Sequence, residues 1–113
     1  MSRDFGMYLD DILVSINKIV LYSQSINESE FYTNSEKQDA IIRRLEIIGE
    51  AVKKIPNEIR NQYSEIPWKE IAGMRDIVVH EYFEVSLEIV WRTVINELPK
   101  IKTQIEIIRK NLK

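Results

Sequence analysis

Apolar residues recur every three or four positions along most of this 113-residue chain, and that period admits few folds. Phe5, Leu9, Ile12, Ile16, Ile19 and Val20 form one such series, which predicts an amphipathic helix over residues 3–25. The polar stretch 26–34 reads as a loop. Ile41, Leu45, Ile48, Val52 and Ile55 form a second series that ends before Pro56, and Ser35 with Gln38 three residues on has the pattern of a capping box for it. Gly49 inside that helix suggests a close crossing with a neighbour. Residues 57–63 suit a short third helix. Pro67 is placed to open a fourth, carrying Trp68, Ile71, Ala72, Arg75 and Val79. Ser86 can cap a fifth whose buried face is Ile89, Val90, Val94 and Leu98. Pro99 should kink it, because proline lacks the backbone donor and crowds the carbonyl of Ile95. No stretch alternates as a strand. The expectation is an all-α, up-and-down bundle of four main helices plus a short one, folded as a single domain over residues 1–113.

Composition removes several classes of function. The chain is 44% hydrophobic and 30% charged, as expected of a globular protein with a packed core. It has no cysteine, hence no disulfide framework, no zinc-finger ligand set and no thiol nucleophile. The start, Met1-Ser2-Arg3-Asp4-Phe5, lacks the apolar core of a signal peptide, and no apolar run approaches the roughly 18 residues of a membrane span. A cytoplasmic protein is expected. The net charge of −2 argues mildly against a nucleic-acid binder, so contact with RNA requires a local patch. The tail residues Lys100, Lys102, Arg109, Lys110 and Lys113 are one basic cluster; cations in a last helical turn are its plainer explanation.

The chemistry concentrates in Arg75-Asp76-Ile77-Val78-Val79-His80-Glu81-Tyr82, which holds the only histidine. An imidazole can take and give a proton near neutrality, and a guanidinium presents a fork of donors that matches a phosphate. On a continuous helix, at about 100° per residue, Arg75 and His80 would lie roughly 140° apart. They can share a site within one chain only if the helix ends or loosens around His80, which the poor helix formers Val78 and Val79 would permit. Asp76 lies one turn from His80 and can accept a hydrogen bond from the imidazole, fixing its tautomer. Cleaving RNA through the ribose 2′-hydroxyl requires a base, an acid and positive charge at the phosphate. One chain offers one histidine. Two chains about a two-fold axis would bring two His80 and two Arg75 to one cleft, which makes a homodimer a mechanistic expectation.

Each of these residues also has a structural explanation. His80 could be a buried histidine paired with Asp76 or Glu81, and Arg75 could form an ordinary salt bridge to Glu50 or Glu70. Tyr82 beside Phe83 could be a core or interface aromatic. Trp68 and Trp91 at helical spacing read first as packing residues and only second as stacking platforms for RNA bases. Glu46 and Glu50, one turn apart, could hold a divalent cation only with further oxygen ligands.

The string Arg75-x4-His80-x-Tyr82 resembles the signature of the HepT-like ribonucleases, a branch of the HEPN superfamily of all-helical RNases. The resemblance extends through Arg3-Asp4 with Tyr8-Leu9-Asp10-Asp11-Ile12, Arg44-Leu45-Glu46-Ile47-Ile48-Gly49-Glu50-Ala51, Ile66-Pro67-Trp68-Lys69-Glu70-Ile71-Ala72-Gly73-Met74, and Val90-Trp91 through Glu97-Leu98-Pro99. It covers nearly the whole chain in the family's order. The resemblance implies a HEPN-type helical bundle, homodimeric, acting as the endoribonuclease toxin of a toxin–antitoxin pair, with neither metal nor cofactor. It assigns His80 as general acid/base, Arg75 as the cation at the phosphate, and Asp76 as the residue that orients the site. The implied partners are an RNA substrate and a minimal nucleotidyltransferase antitoxin of the MntA type, which silences the toxin by adding AMP to Tyr82. An attached AMP would put negative charge and bulk where the RNA phosphate must sit. Two alternatives stand beside this one: a non-catalytic nucleotide- or RNA-binding partner subunit of such a transferase, and a plain helical dimerisation module.

Overall fold

The computed structural model describes the backbone of residues 5–81 and 87–112, with side chains for residues 5–74 and 87–112. Arg3, Asp4, Tyr82, Ser86 and Lys113 lie outside the described residues, as does the side chain of Val79. The helices are α1 (Phe5–Gln24), α2 (Glu28–Thr33), α3 (Ser35–Val52), α4 (Asn57–Gln62), α5 (Trp68–Glu81), α6 (Leu87–Arg92) and α7 (Leu98–Asn111), with a π turn, Thr93–Glu97, joining the last two into one rod. No described helix is long and apolar enough to cross a membrane.

The helical period dictates how they pack. Leu9, Ile12, Ile16 and Ile19 are sealed from solvent on α1, and Ile41, Leu45, Ile48 and Val52 are buried along α3. α3 packs against both α1 and α5, and α1 also packs against α7, whose Ile101, Ile105 and Ile108 complete the same core. Gly49 is buried on α3, the helix with neighbours on two sides. Arg109 of the basic tail pairs with Asp10, its Nε 2.7 Å from Oδ1, so one of the tail cations ties α7 to α1. Both partners are about half exposed, which limits the pair to roughly 1 kcal/mol or less.

Three local expectations are corrected. The stretch 26–34 is not a loop: Asn27 caps α2 in a reciprocal box, its Oδ1 accepting from the Glu30 amide at 2.8 Å while its own amide donates to Glu30 Oε1 at 2.9 Å. Phe31 from this helix is fully buried and meets the Trp91 ring at 5.3 Å between centroids. The cap of α3 is Asn34 rather than Ser35, with Oδ1 accepting from the Lys37 amide at 3.0 Å. Gln38 instead donates its side-chain N–H groups to the carbonyls of Phe31 and Tyr32, fastening α2 to α3. Ile89 is 51% exposed, because it stands about 100° around the helix from Val90, which with Val94 and Leu98 forms the buried line.

Pro99 stands in the first turn of α7. It cannot donate to the carbonyl of Ile95, and the chain widens into the π turn immediately before it rather than simply breaking. Beside this rod, the Tyr32 hydroxyl donates to the Glu28 carboxylate. That bond, with desolvation and the charges of Glu28 and Glu88, pushes the phenol up to about 12.

Because Phe31 anchors α2 under Trp91, Phe31→Ala should remove about 3–5 kcal/mol of stability. Urea unfolding of the variant against wild type measures this, and a loss below about 1 kcal/mol would mean the segment is dispensable surface.

Candidate nucleic-acid interface on helix α5

The motif helix is anchored at its start. Trp68 and Ile71 are buried against the core, and the Trp68 indole donates to the Tyr63 carbonyl at 3.1 Å, locking the entry to α5. The Ile71 amide bonds to the Pro67 carbonyl at 3.0 Å, so the proline stands at the helix boundary as its fixed φ favours. Both tryptophans are packing residues: Trp68 is 7% exposed, and Trp91 is part-buried against Phe31.

Arg75, Asp76 and His80 all lie on α5, which stays α-helical through Glu81. The expected loosening around His80 does not occur in the backbone. Two β-branched residues lower helix propensity by only a few tenths of a kcal/mol each, too little to end a helix already propagating. Arg75 and His80 therefore sit about 7.5 Å apart along the axis and roughly 140° around it, whereas Asp76 and His80 share a face one turn apart. Tyr82, the expected AMP acceptor, follows the last residue of α5.

Running back along α5 from His80, the register positions of Asp76, Gly73 and Lys69 fall within a sector of about 60°. At the Gly73–Lys69 end that face borders a groove of about 640 Å³ lined by Lys53, Arg60, Ser64, Trp68, Lys69 and Gly73, with Asn61 and Ala72. Among the described residues three cations and no carboxylate line it, the reverse of the chain's net sign. Arg60 is held in place by donating from Nη2 to the Val52 carbonyl at 2.7 Å and from Nε to the Ile55 carbonyl at 3.1 Å, which caps the end of α3. These cations come from the end of α3, from α4 and from the first turn of α5. Their scatter in sequence hides them from motif reading, although Lys69 in register with His80 was a usable signal. Glu46 pairs with Arg43, and among the described residues no group of three or more His, Asp or Glu gathers as a metal ligand set.

Comparison with known proteins shows the family and the fold. The family described as Ribonuclease HepT-like matches residues 12–108, a span that contains the whole Arg75-to-Tyr82 segment. A Thermococcus cleftensis protein named "Probable ribonuclease HepT" is 42% identical over 110 residues, covering 97% of this chain and all of that one. A Methanocaldococcus jannaschii protein, "Gamma-glutamylcyclotransferase and putative RNase MJ0434", is 46% identical over 112 residues; the match takes in 99% of this chain and 50% of that longer protein. The fold is that of the tri-AMPylated Shewanella oneidensis HEPN toxin solved in complex with MNT antitoxin, with a TM-score of 0.73 at 23% identity over 97% of this chain and all of that one. The chain belongs to the HepT-like ribonuclease family, with the all-α bundle of the HEPN type.

Proposed function

We propose that this chain is a cytoplasmic, metal-independent endoribonuclease toxin that works as a homodimer and is silenced by AMP addition to Tyr82. The observation that carries this reading is membership of the HepT-like ribonucleases with Arg75-x4-His80-x-Tyr82 intact inside the matched span.

In the proposed reaction the ribose 2′-oxygen bonds to the adjacent phosphorus while the bond from phosphorus to the 5′-oxygen breaks. An imidazole takes the 2′-hydroxyl proton, and a protonated imidazole gives one to the departing oxygen, leaving a cyclic phosphate and a 5′-hydroxyl. Arg75 neutralises the charge that builds on the phosphate, and Asp76 holds the His80 ring in one tautomer. The continuous helix supports the dimer. Two positions roughly 140° apart on one rod converge poorly within a chain, whereas a two-fold axis beside α5 lets His80 of one copy face Arg75 of the other.

His80→Ala should lower cleavage of single-stranded RNA by about 10²–10⁴-fold and abolish growth arrest on expression without a partner. A chelator should leave wild-type cleavage unchanged. Equal behaviour of variant and wild type would indicate the non-catalytic binding subunit instead.

A shared cleft makes a sharper demand. Arg75→Ala and His80→Ala, each inactive alone, should regain measurable cleavage when co-expressed, since the mixed dimer holds one intact pair. Failure to recover in verified mixed dimers would place each site within one protomer.

The Shewanella oneidensis toxin of the same fold carries AMP groups and is bound to its MNT antitoxin, which supports a nucleotidyltransferase partner here. Co-expression with such a transferase should add AMP mass to the peptide containing Tyr82, and Tyr82→Phe should remove both the mass and the protection. Mass appearing on another peptide would overturn the assignment to Tyr82.

A further inference from the structure

The groove at the start of α5 is not part of the reaction just described, yet its chemistry is specific. Lys53, Arg60 and Lys69 give it positive charge on a chain whose net charge is −2, and among the described residues no carboxylate lines it. Its floor is Trp68, buried to 7% exposure with its indole N–H already bonded to the Tyr63 carbonyl, so the wall offers little ring face for a base. Its other polar lining includes cations and a hydroxyl: two lysine side chains, a guanidinium braced against the end of α3, and Ser64.

Gly73 supplies a second, independent pointer. Glycine inside a helix costs about 1 kcal/mol relative to alanine, and such a residue is usually explained by a close packing partner. Here a Cβ built on Gly73 would meet nothing within 4 Å, so among the described residues no neighbour requires the missing side chain. The space beside the α5 backbone is open at Gly73, and the register positions of Asp76 and His80 follow about 5 and 10 Å further along the helix.

We propose that this groove binds the sugar–phosphate backbone of single-stranded RNA beside the scissile bond, with Lys53 and Lys69 on phosphates and the strand passing over Gly73. The inference rests on the ribonuclease reading of α5 and extends it: the groove positions the strand and is indifferent to base identity. Charge favours RNA over a second protein copy as the occupant. A strand lying in this groove continues along the face of α5 toward His80 without changing direction.

The test uses a single-stranded RNA with 2′-O-methyl riboses, which lacks the attacking hydroxyl, so binding is read apart from cleavage. The variant Lys53→Ala/Lys69→Ala leaves Arg60 and its cap of α3 in place, and thermal melting checks that it folds. Losing two phosphate contacts should flatten the slope of log affinity against log salt by about 1.4, so that the wild-type advantage shrinks about sevenfold between 50 and 200 mM salt, equally for oligonucleotides of different sequence. Gly73→Ala should melt higher than wild type but bind this RNA more weakly. The groove assignment is overturned if wild type cleaves RNA while the lysine pair leaves affinity and slope unchanged, if the loss depends on base sequence, or if Gly73→Ala alters the dimer in sedimentation without altering RNA affinity. Lysine-dependent binding by a wild type that cuts no RNA would uphold the groove and sink the nuclease reading instead.

Discussion

The burial of α3 on two sides is the constraint from which the rest of the structure follows. Its line of Ile41, Leu45, Ile48 and Val52 meets α1 and α5, and α1 in turn receives α7. Each fully buried Ile or Leu contributes about 1.5–3 kcal/mol relative to exposure, so the pairing of α3 with its neighbours dominates the core. The end of α3 is also where the fold becomes polar: Arg60 donates to its last carbonyl, that of Val52, and Lys53 follows it into the basic groove. A helix that organises the core thereby also fixes one wall of the surface proposed to meet RNA.

The motif helix shows how a rigid anchor and a working segment can share one element. The first turns of α5 are held by buried Trp68 and Ile71, and the register positions of Asp76 and His80 come one and two turns beyond Gly73. Rigidity has a geometrical consequence. It keeps the Arg75 and His80 positions on different sides of the same rod, the geometry from which the proposed site shared between two copies is argued. Local charge, rather than net charge, governs the encounter with a polyanion, since screening confines each charge to about 10 Å at ordinary salt.

Much of this fold was legible in the sequence because long helices repeat their evidence. The series on α1 and α3 each spell out the buried face several times over; of the basic cluster, Arg109 and Lys110 stand in the last turn of α7, whereas Lys100 and Lys102 stand in its first turns. The failures share a cause. α2 has six residues and only one fully buried side chain, Phe31, so there is no period to detect; its existence depends on a ring contact with Trp91, sixty residues away. Ile89 was misplaced because it was grouped with its neighbour Val90, which stands about 100° around the helix from it, on the side that is buried. The motif positions on α5 were singled out from residue type and spacing, whereas the groove cations were not, because Lys53, Arg60 and Lys69 come together only once α3, α4 and α5 have packed.

The π turn before Pro99 carries one residue more than an ordinary α-helical rod would need over the same span. That surplus sets the phase of everything after it. Were a single residue deleted between Thr93 and Glu97, the rod could remain helical throughout, yet α7 would swivel by about 100° and turn Ile101, Ile105 and Ile108 out toward water. The irregular turn is thus the joint that lets one rod keep two stripes, on either side of a proline, facing a common interior.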